Sequence, residues 1–230
     1  MPIFELQTED ISFPHPSFSN PDGLLAYGGD LSTQRLLEAY RKGIFPWFNP
    51  GEAILWWSPN PRFVLFPKEL KVAKSMRPYF NQNKFHVTYD TRFLDVIIGC
   101  KLGETRKERG TWITSDIVES YYKLHQLGYA HSVEVWQDEK LVGGLYGVSL
   151  GRMFFGESMF TRVSNASKFG FITLVKSLDA KGFTLIDCQM PTQHLSSLGA
   201  KAIPRSDFLD KLEKNEKLET QIGSWKDWLV

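Results

Sequence analysis

Two carboxylates and an amide, Glu157, Asp187 and Gln189, stand in stretches that otherwise read as buried strands. Glu157 follows Met153-Phe154-Phe155-Gly156, and Asp187 follows Leu185-Ile186. An acid placed in an apolar run costs free energy unless a partner satisfies it. Strand alternation puts Asp187 and Gln189 on one face and Cys188 on the other. A bulge at Gly156 would turn Glu157 toward the face of Phe154. A carboxylate can hold a proton or attract a cation, whereas a glutamine amide can only orient a partner through hydrogen bonds. Glu157, Asp187 and Gln189 are therefore the candidate catalytic set.

The elements that must position them are legible around them. Ser132 to Trp136, Leu141 to Val148 and Arg152 to Met159 read as a three-strand meander, joined by the turns Gln137-Asp138-Glu139 and Ser149-Leu150-Gly151. A helix follows from about Asn165 to Ala180, with Phe171, Leu174, Val175 and Leu178 at the spacing of one buried face. Lys181-Gly182 stops it, and Thr184 to Gln189 is the next strand. Upstream, Phe63 to Phe66 reads as a short buried strand. A helix starts at Asp90 or Thr91 with Phe93, Val96, Ile97 and Cys100 inward. Another starts at Thr114 or Ser115 with Ile117, Tyr121 and Leu124 inward and Gly128 after its end. Ser206 is expected to cap a last short helix, and 214–223 reads as a polar tail, loose at its edges.

The first 62 residues are rich in Pro, Gly and aromatics, with one short helix from Ser32 that faces Leu36, Leu37 and Tyr40 inward. Such a piece has little core of its own and should pack on the remainder, with some of Trp47, Trp56 and Trp57 lining the seam. The expectation is an α+β chain: a small N-terminal domain, 1–62, on a larger domain, 63–230, built on a mixed, mostly antiparallel sheet.

Composition narrows the function classes. Apolar residues make up 42% and charged residues 23%, ordinary values for a globular protein, while the aromatic share of 14% is high and suits pockets for flat or apolar groups. The net charge of +1 says that an anionic partner must be met by a local patch. The densest basic surplus, Lys71, Lys74, Arg77 and Lys84, is a candidate for nucleic-acid phosphates. A second run, Arg106 to Arg109, leads into Trp112, where a ring beside cations could stack on a base. Two distant cysteines, Cys100 and Cys188, fit a reducing cytosol, so the expected location is cytoplasmic. The start of the chain lacks the basic and apolar run of a signal peptide, and no long apolar stretch suggests a membrane span. The five histidines show no metal-ligand spacing, and no metal or cofactor is expected.

There is no GxxxxGK[ST] loop, and Gly143-Gly144-Leu145-Tyr146-Gly147 lies within a strand rather than at a strand-to-helix turn. A Cys188–His194 thiol site is rejected, because Cys188 alternates away from Asp187 and Gln189 and no third partner is identified. Meander, helix and strand are similar to the GNAT class of N-acetyltransferases, yet no Gln or Arg begins the [QR]xxGx[GA] loop that holds coenzyme A there.

Five motifs in order, Gly43-Ile-Phe-Pro-Trp-Phe48, Trp56-Trp-Ser-Pro59, Gly110-Thr-Trp-Ile-Thr114, Gly156-Glu-Ser-Met-Phe160 and Leu185-Ile-Asp-Cys-Gln189, closely resemble leucyl/phenylalanyl-tRNA–protein transferases over nearly the whole chain. The resemblance implies a GNAT-like catalytic domain. The activity it implies is transfer of Leu or Phe, and less well Met, from aminoacyl-tRNA to proteins with N-terminal Lys or Arg, which marks them for degradation. By the same resemblance Trp47 and Trp112 hold the terminal adenosine. Phe154, Met159 and Ile186 wall the aminoacyl pocket with Glu157 at its base, and Asp187 and Gln189 stand beside the attacking amine. Phe171, Leu174 and Leu145 stand where the family commonly carries other apolar residues. The competing readings are an acetyl-CoA-dependent N-acetyltransferase and a non-catalytic module that binds tRNA ends.

Overall fold

The structure is a computed structural model and describes residues 3–103 and 111–228. The strands are β1 (Phe4–Leu6), β2 (Leu24–Gly28), β3 (Phe45–Pro46), β4 (Leu55–Trp57), β5 (Arg62–Leu65), β6 (His86–Tyr89), β7 (Ala130–Gln137), β8 (Lys140–Leu150), β9 (Met153–Thr161), β10 (Leu185–Gln189) and β11 (Lys201–Ile203). The helices are α1 (Thr33–Arg41), α2 (Arg77–Asn81), α3 (Phe93–Lys101), α4 (Ser115–Gln126), α5 (Ala166–Ala180), α6 (Gln193–Ser197) and α7 (Arg205–Glu216). The first four strands form a small sheet in the order β1-β2-β4-β3, and the others a seven-stranded sheet in the order β11-β5-β10-β9-β8-β7-β6. In the large sheet β9 and β10 pair in parallel, while the other described pairs are antiparallel. This is the α+β class with a mixed, mostly antiparallel sheet. Arg62, expected to close the N-terminal part, instead opens β5 of the large sheet.

Local chemistry explains the central meander. Asp138 and Glu139 both take positive φ, the pair of left-handed residues that a tight hairpin needs to match the strand twist. Gly151, also at positive φ, turns β8 into β9. Alternation then sorts side chains to two faces. Val64, Phe155 and Leu185 join a cluster with α3, α4 and the N-terminal part. Their neighbours Phe63, Leu65, Phe154 and Ile186 join a second cluster with α5. The N-terminal part shares the first cluster through Tyr40, Ile44, Phe45 and Trp56, so its core is the core of the large sheet.

Three expectations about ends are corrected. α3 begins at Phe93 rather than at Asp90 or Thr91, because both residues have other partners. Buried Glu134 accepts from the Thr91 hydroxyl and the Thr91 and Arg92 amides. Asp90 accepts from His131 and from the Ser132 and Trp225 amides. Ser206 lies inside the first turn of α7, whose N-cap is Pro204. The tail, 214–223, is tied down at two points, since α7 continues to Glu216 and Thr220 accepts from the Gly151 amide; beyond it, Trp225 is buried in a face-to-face stack 3.6 Å from His131 and 3.9 Å from Trp228.

Candidate active site

β9 does not run straight past β8. Tyr146 pairs with Ser158 and Gly147 with Gly156, so Glu157 is the extra residue of a bulge. Position 147 must be small, because a side chain there would meet the Phe154 ring and the Phe155 carbonyl. The bulge turns Glu157 into a cavity of about 740 Å³, as its glycine suggested. A second hollow, of about 660 Å³, lies between Phe13–Ser17 and the first turns of α7 and is lined by none of the candidate residues.

The Glu157 carboxyl is contacted on both oxygens. Oε1 lies 2.6 Å from the Tyr40 hydroxyl and accepts from Gln189 Nε2 at 2.8 Å, and Oε2 lies 3.1 Å from the Tyr121 hydroxyl. Tyr40 and Tyr121 also hydrogen-bond each other. Burial pushes the carboxyl up to about 8, with the Asp187 charge adding to the rise and the hydrogen bonds opposing it. Burial and the same carboxyl push both tyrosines above their usual range.

Asp187 and Arg62 form a fork completely shielded from solvent. Arg62 Nε donates to Oδ1 at 2.8 Å and Nη2 to Oδ2 at 2.6 Å, while the guanidinium lies 4.8 Å from the ring centres of Phe45 and Phe208. Between Asp187 and Gln189 the register against β5 slips, and Gln189 takes a φ of 60°. Its amide donates to Asp187 Oδ1 at 2.9 Å and its side chain reaches Glu157, so Gln189 is tied at both ends. Its side-chain oxygen has no donor among the described residues. The sequence placed Asp187 and Gln189 on one strand face, and they do share the cavity. Cys188 lines it too, because the slip breaks the alternation that had set it apart. Burial pushes its thiol well above the usual range, which keeps it protonated.

The walls are apolar. Leu145, Phe154, Met159, Phe171 and Ile186 line the cavity, and so do Trp47, half exposed, and Trp112. Trp47 packs 5.7 Å from Trp57, whose indole donates to its carbonyl. Leu174 does not line the cavity: it is fully buried within the α5 cluster, one helical turn along from Phe171.

Sequence comparison decides the family. The model of the leucyl/phenylalanyl-tRNA protein transferase matches residues 64–213, and that of its N-terminal domain matches residues 29–60. This chain belongs to the leucyl/phenylalanyl-tRNA–protein transferase family. It is 56% identical over 222 residues to the leucyl/phenylalanyl-tRNA–protein transferase of Pseudomonas fluorescens, covering 96% of this chain and 97% of that one. The identity is 54% over 227 residues to the transferase of Ectopseudomonas mendocina, covering 98% of each. Among solved structures, an aminoglycoside acetyltransferase from an uncultured soil metagenomic sample matches at 14% identity and a TM-score of 0.38, over 59% of this chain and 89% of that one.

Several residues in and around the cavity escaped the sequence. Arg62 follows Pro61 at a seam and carries no periodic signal. Tyr40 and Tyr121 were legible as inward residues, but a tyrosine on an apolar helix face reads as core, and its hydroxyl has no sequence signature. His194, weighed in the sequence only as a partner of Cys188, and Thr192 line the same cavity from α6 and its cap. Lys71, Lys74, Arg77 and Lys84 are all exposed on the stretch around α2 and do not line the cavity. Arg106 to Arg109 lie outside the described residues. Among the described residues there is no cluster of three or more metal-ligating side chains and no helix long and apolar enough to cross a membrane.

Proposed function

We propose that this transferase moves Leu or Phe, and Met less well, from aminoacyl-tRNA to the α-amine of proteins that begin with Lys or Arg, in the cytoplasm, and so marks them for degradation. The observation that carries the reading is one cavity that joins two tryptophans, an apolar wall and the Glu157–Gln189–Asp187 set. The rings of Trp47 and Trp112 suit a terminal adenine, which can stack on either flat face. Leu145, Phe154, Met159, Phe171 and Ile186 suit an apolar aminoacyl side chain, with Glu157 at the base. Lys71, Lys74, Arg77 and Lys84 suit the phosphates of the tRNA body.

The donor ester is already activated, so the site must position the amine more than activate it. An α-amine has a reference pKa near ~7.7, so roughly a sixth is neutral at pH 7. The amine nitrogen attacks the ester carbonyl. The new C–N bond forms, the bond to the ribose oxygen breaks, and that oxygen leaves with a proton while the nitrogen loses one. Gln189 supports this step as an acceptor for an amine N–H through its side-chain oxygen, since its nitrogen is held by Glu157. Asp187 acts through Gln189: with both oxygens held by Arg62 and the Gln189 amide, it orients the strand end. Incubation with labelled Phe-tRNA or Leu-tRNA and an Arg-starting peptide should yield labelled peptide, and acetyl-CoA in place of tRNA should not. Binding of the tRNA without transfer would leave the chain a tRNA-end-binding module.

A further inference from the structure

The three oxygen contacts among Tyr40, Tyr121 and Glu157 form a closed triangle, and protons can be counted around it. Each tyrosine brings one hydroxyl proton. If Glu157 is a carboxylate, both protons can point at it, and then the contact between the two tyrosine oxygens holds no proton. If a proton does lie between the tyrosines, one of the Glu157 contacts goes without. A neutral Glu157 supplies the third proton. Oε2 then donates to Tyr121, Tyr121 donates to Tyr40, and Tyr40 donates to Oε1, which still accepts from Gln189.

We propose that Glu157, buried without a cation and closed into this ring with Tyr40 and Tyr121, stands as a neutral acid, so that the donor pocket is uncharged down to its base and selects an apolar aminoacyl side chain. This rests on the donor-pocket reading above. The groups that face Glu157 agree with it: α1 brings Tyr40, α4 brings Tyr121, and β10 brings Gln189 and Asp187, the last already matched by Arg62 of β5. Tyr146 of β8 packs edge-on against Tyr121, with ring centres 5.7 Å apart. No cation from these elements touches the Glu157 carboxyl among the described residues, and a bare charge beside Leu145, Met159 and Phe171 would oppose an incoming Leu or Phe side chain. Tyr40 and Tyr121 are positioning residues in this scheme, and Tyr40 makes the N-terminal part a component of donor selection.

The test is binding of a phenylalanyl-adenosine analogue whose ester is replaced by an amide, by calorimetry from about pH 6 to about pH 10. The amine of the analogue titrates alike in every variant, so the difference between variants is the readout. Wild-type affinity should fall by about tenfold per pH unit, relative to Glu157→Gln, above the point where Glu157 ionises. A break in the wild-type curve below about pH 7 would show that Glu157 stands as a carboxylate at neutral pH and would overturn the proposal. So would parallel curves for wild type and Glu157→Gln, while leaving the donor pocket standing. Failure of the wild type to bind the analogue at any pH would overturn both.

Discussion

Asp187 commits both oxygens to Arg62 and the Gln189 amide, and both side chains of the pair are buried. Removing one partner of such a pair leaves an uncompensated charge and typically costs about 3–5 kcal/mol. Asp187→Ala should therefore lower both transfer and stability, the latter seen as a shift of the urea midpoint. Asp187→Leu combined with Arg62→Met should recover most of that stability while transfer stays low, because Gln189 has lost its anchor. A double variant as unstable as the single one would mean that the pair does not set the stability of β5 against β10. The acid itself was legible, since Asp187 interrupts an apolar run in a way that demands a partner. The partner was not, because Arg62 lies 125 positions away and only the antiparallel pairing of β5 with β10 brings the two together.

At the scale of elements, the meander, α5 and β10 were legible from period and turn residues, and the observed strand ends lie within two positions of the expected ones. What periodicity could not separate is the cavity side of α5 from its buried side. Phe171 and Leu174, three apart, share a helix face, and both join one buried cluster. Phe171 lines the cavity and Leu174 does not, so the two should behave differently. Phe171→Ala should change the ratio of Phe to Leu transferred when both charged tRNAs compete for one Arg-peptide. Leu174→Ala should leave that ratio alone and lower stability by about 2–5 kcal/mol through the void it creates. Equal effects on the ratio would return Leu174 to the pocket wall. The short strands β6 and β11 were missed, since β6 is half-buried at the sheet edge and β11 is largely exposed, which leaves little apolar pattern to read.

For the whole molecule the balanced charge hides what the surface does locally. Lys71, Lys74, Arg77 and Lys84 stand exposed on one stretch, and neutralising all four should reduce the salt dependence of tRNA binding by on the order of one log unit for each phosphate they neutralise. An unchanged slope would make them a plain solvated face. Beyond the polar tail, 214–223, one tryptophan without any periodic signal around it reaches back to the sheet. Trp225 stacks on His131, whose Nδ1 bonds Asp90 and whose Nε2 is buried without a partner among the described residues. Burial holds the His131 pKa below its usual value, with the Asp90 bond opposing. Below about pH 6.5 the unfolded chain therefore takes up a proton that the folded chain refuses, so this group's contribution to stability is lost as pH falls. Glu157 acts in the opposite sense. Its folded value of about 8 means that the folded chain keeps a proton the unfolded chain has released, so between about pH 4.5 and pH 8 its contribution falls as pH rises. Thermal unfolding of wild type, His131→Asn and Glu157→Gln across this range separates the two. The first substitution should flatten the acid side of the stability curve and the second the alkaline side. If His131→Asn leaves the acid side as steep as before, the stack of His131 and Trp225 is not what ties the tail to proton uptake.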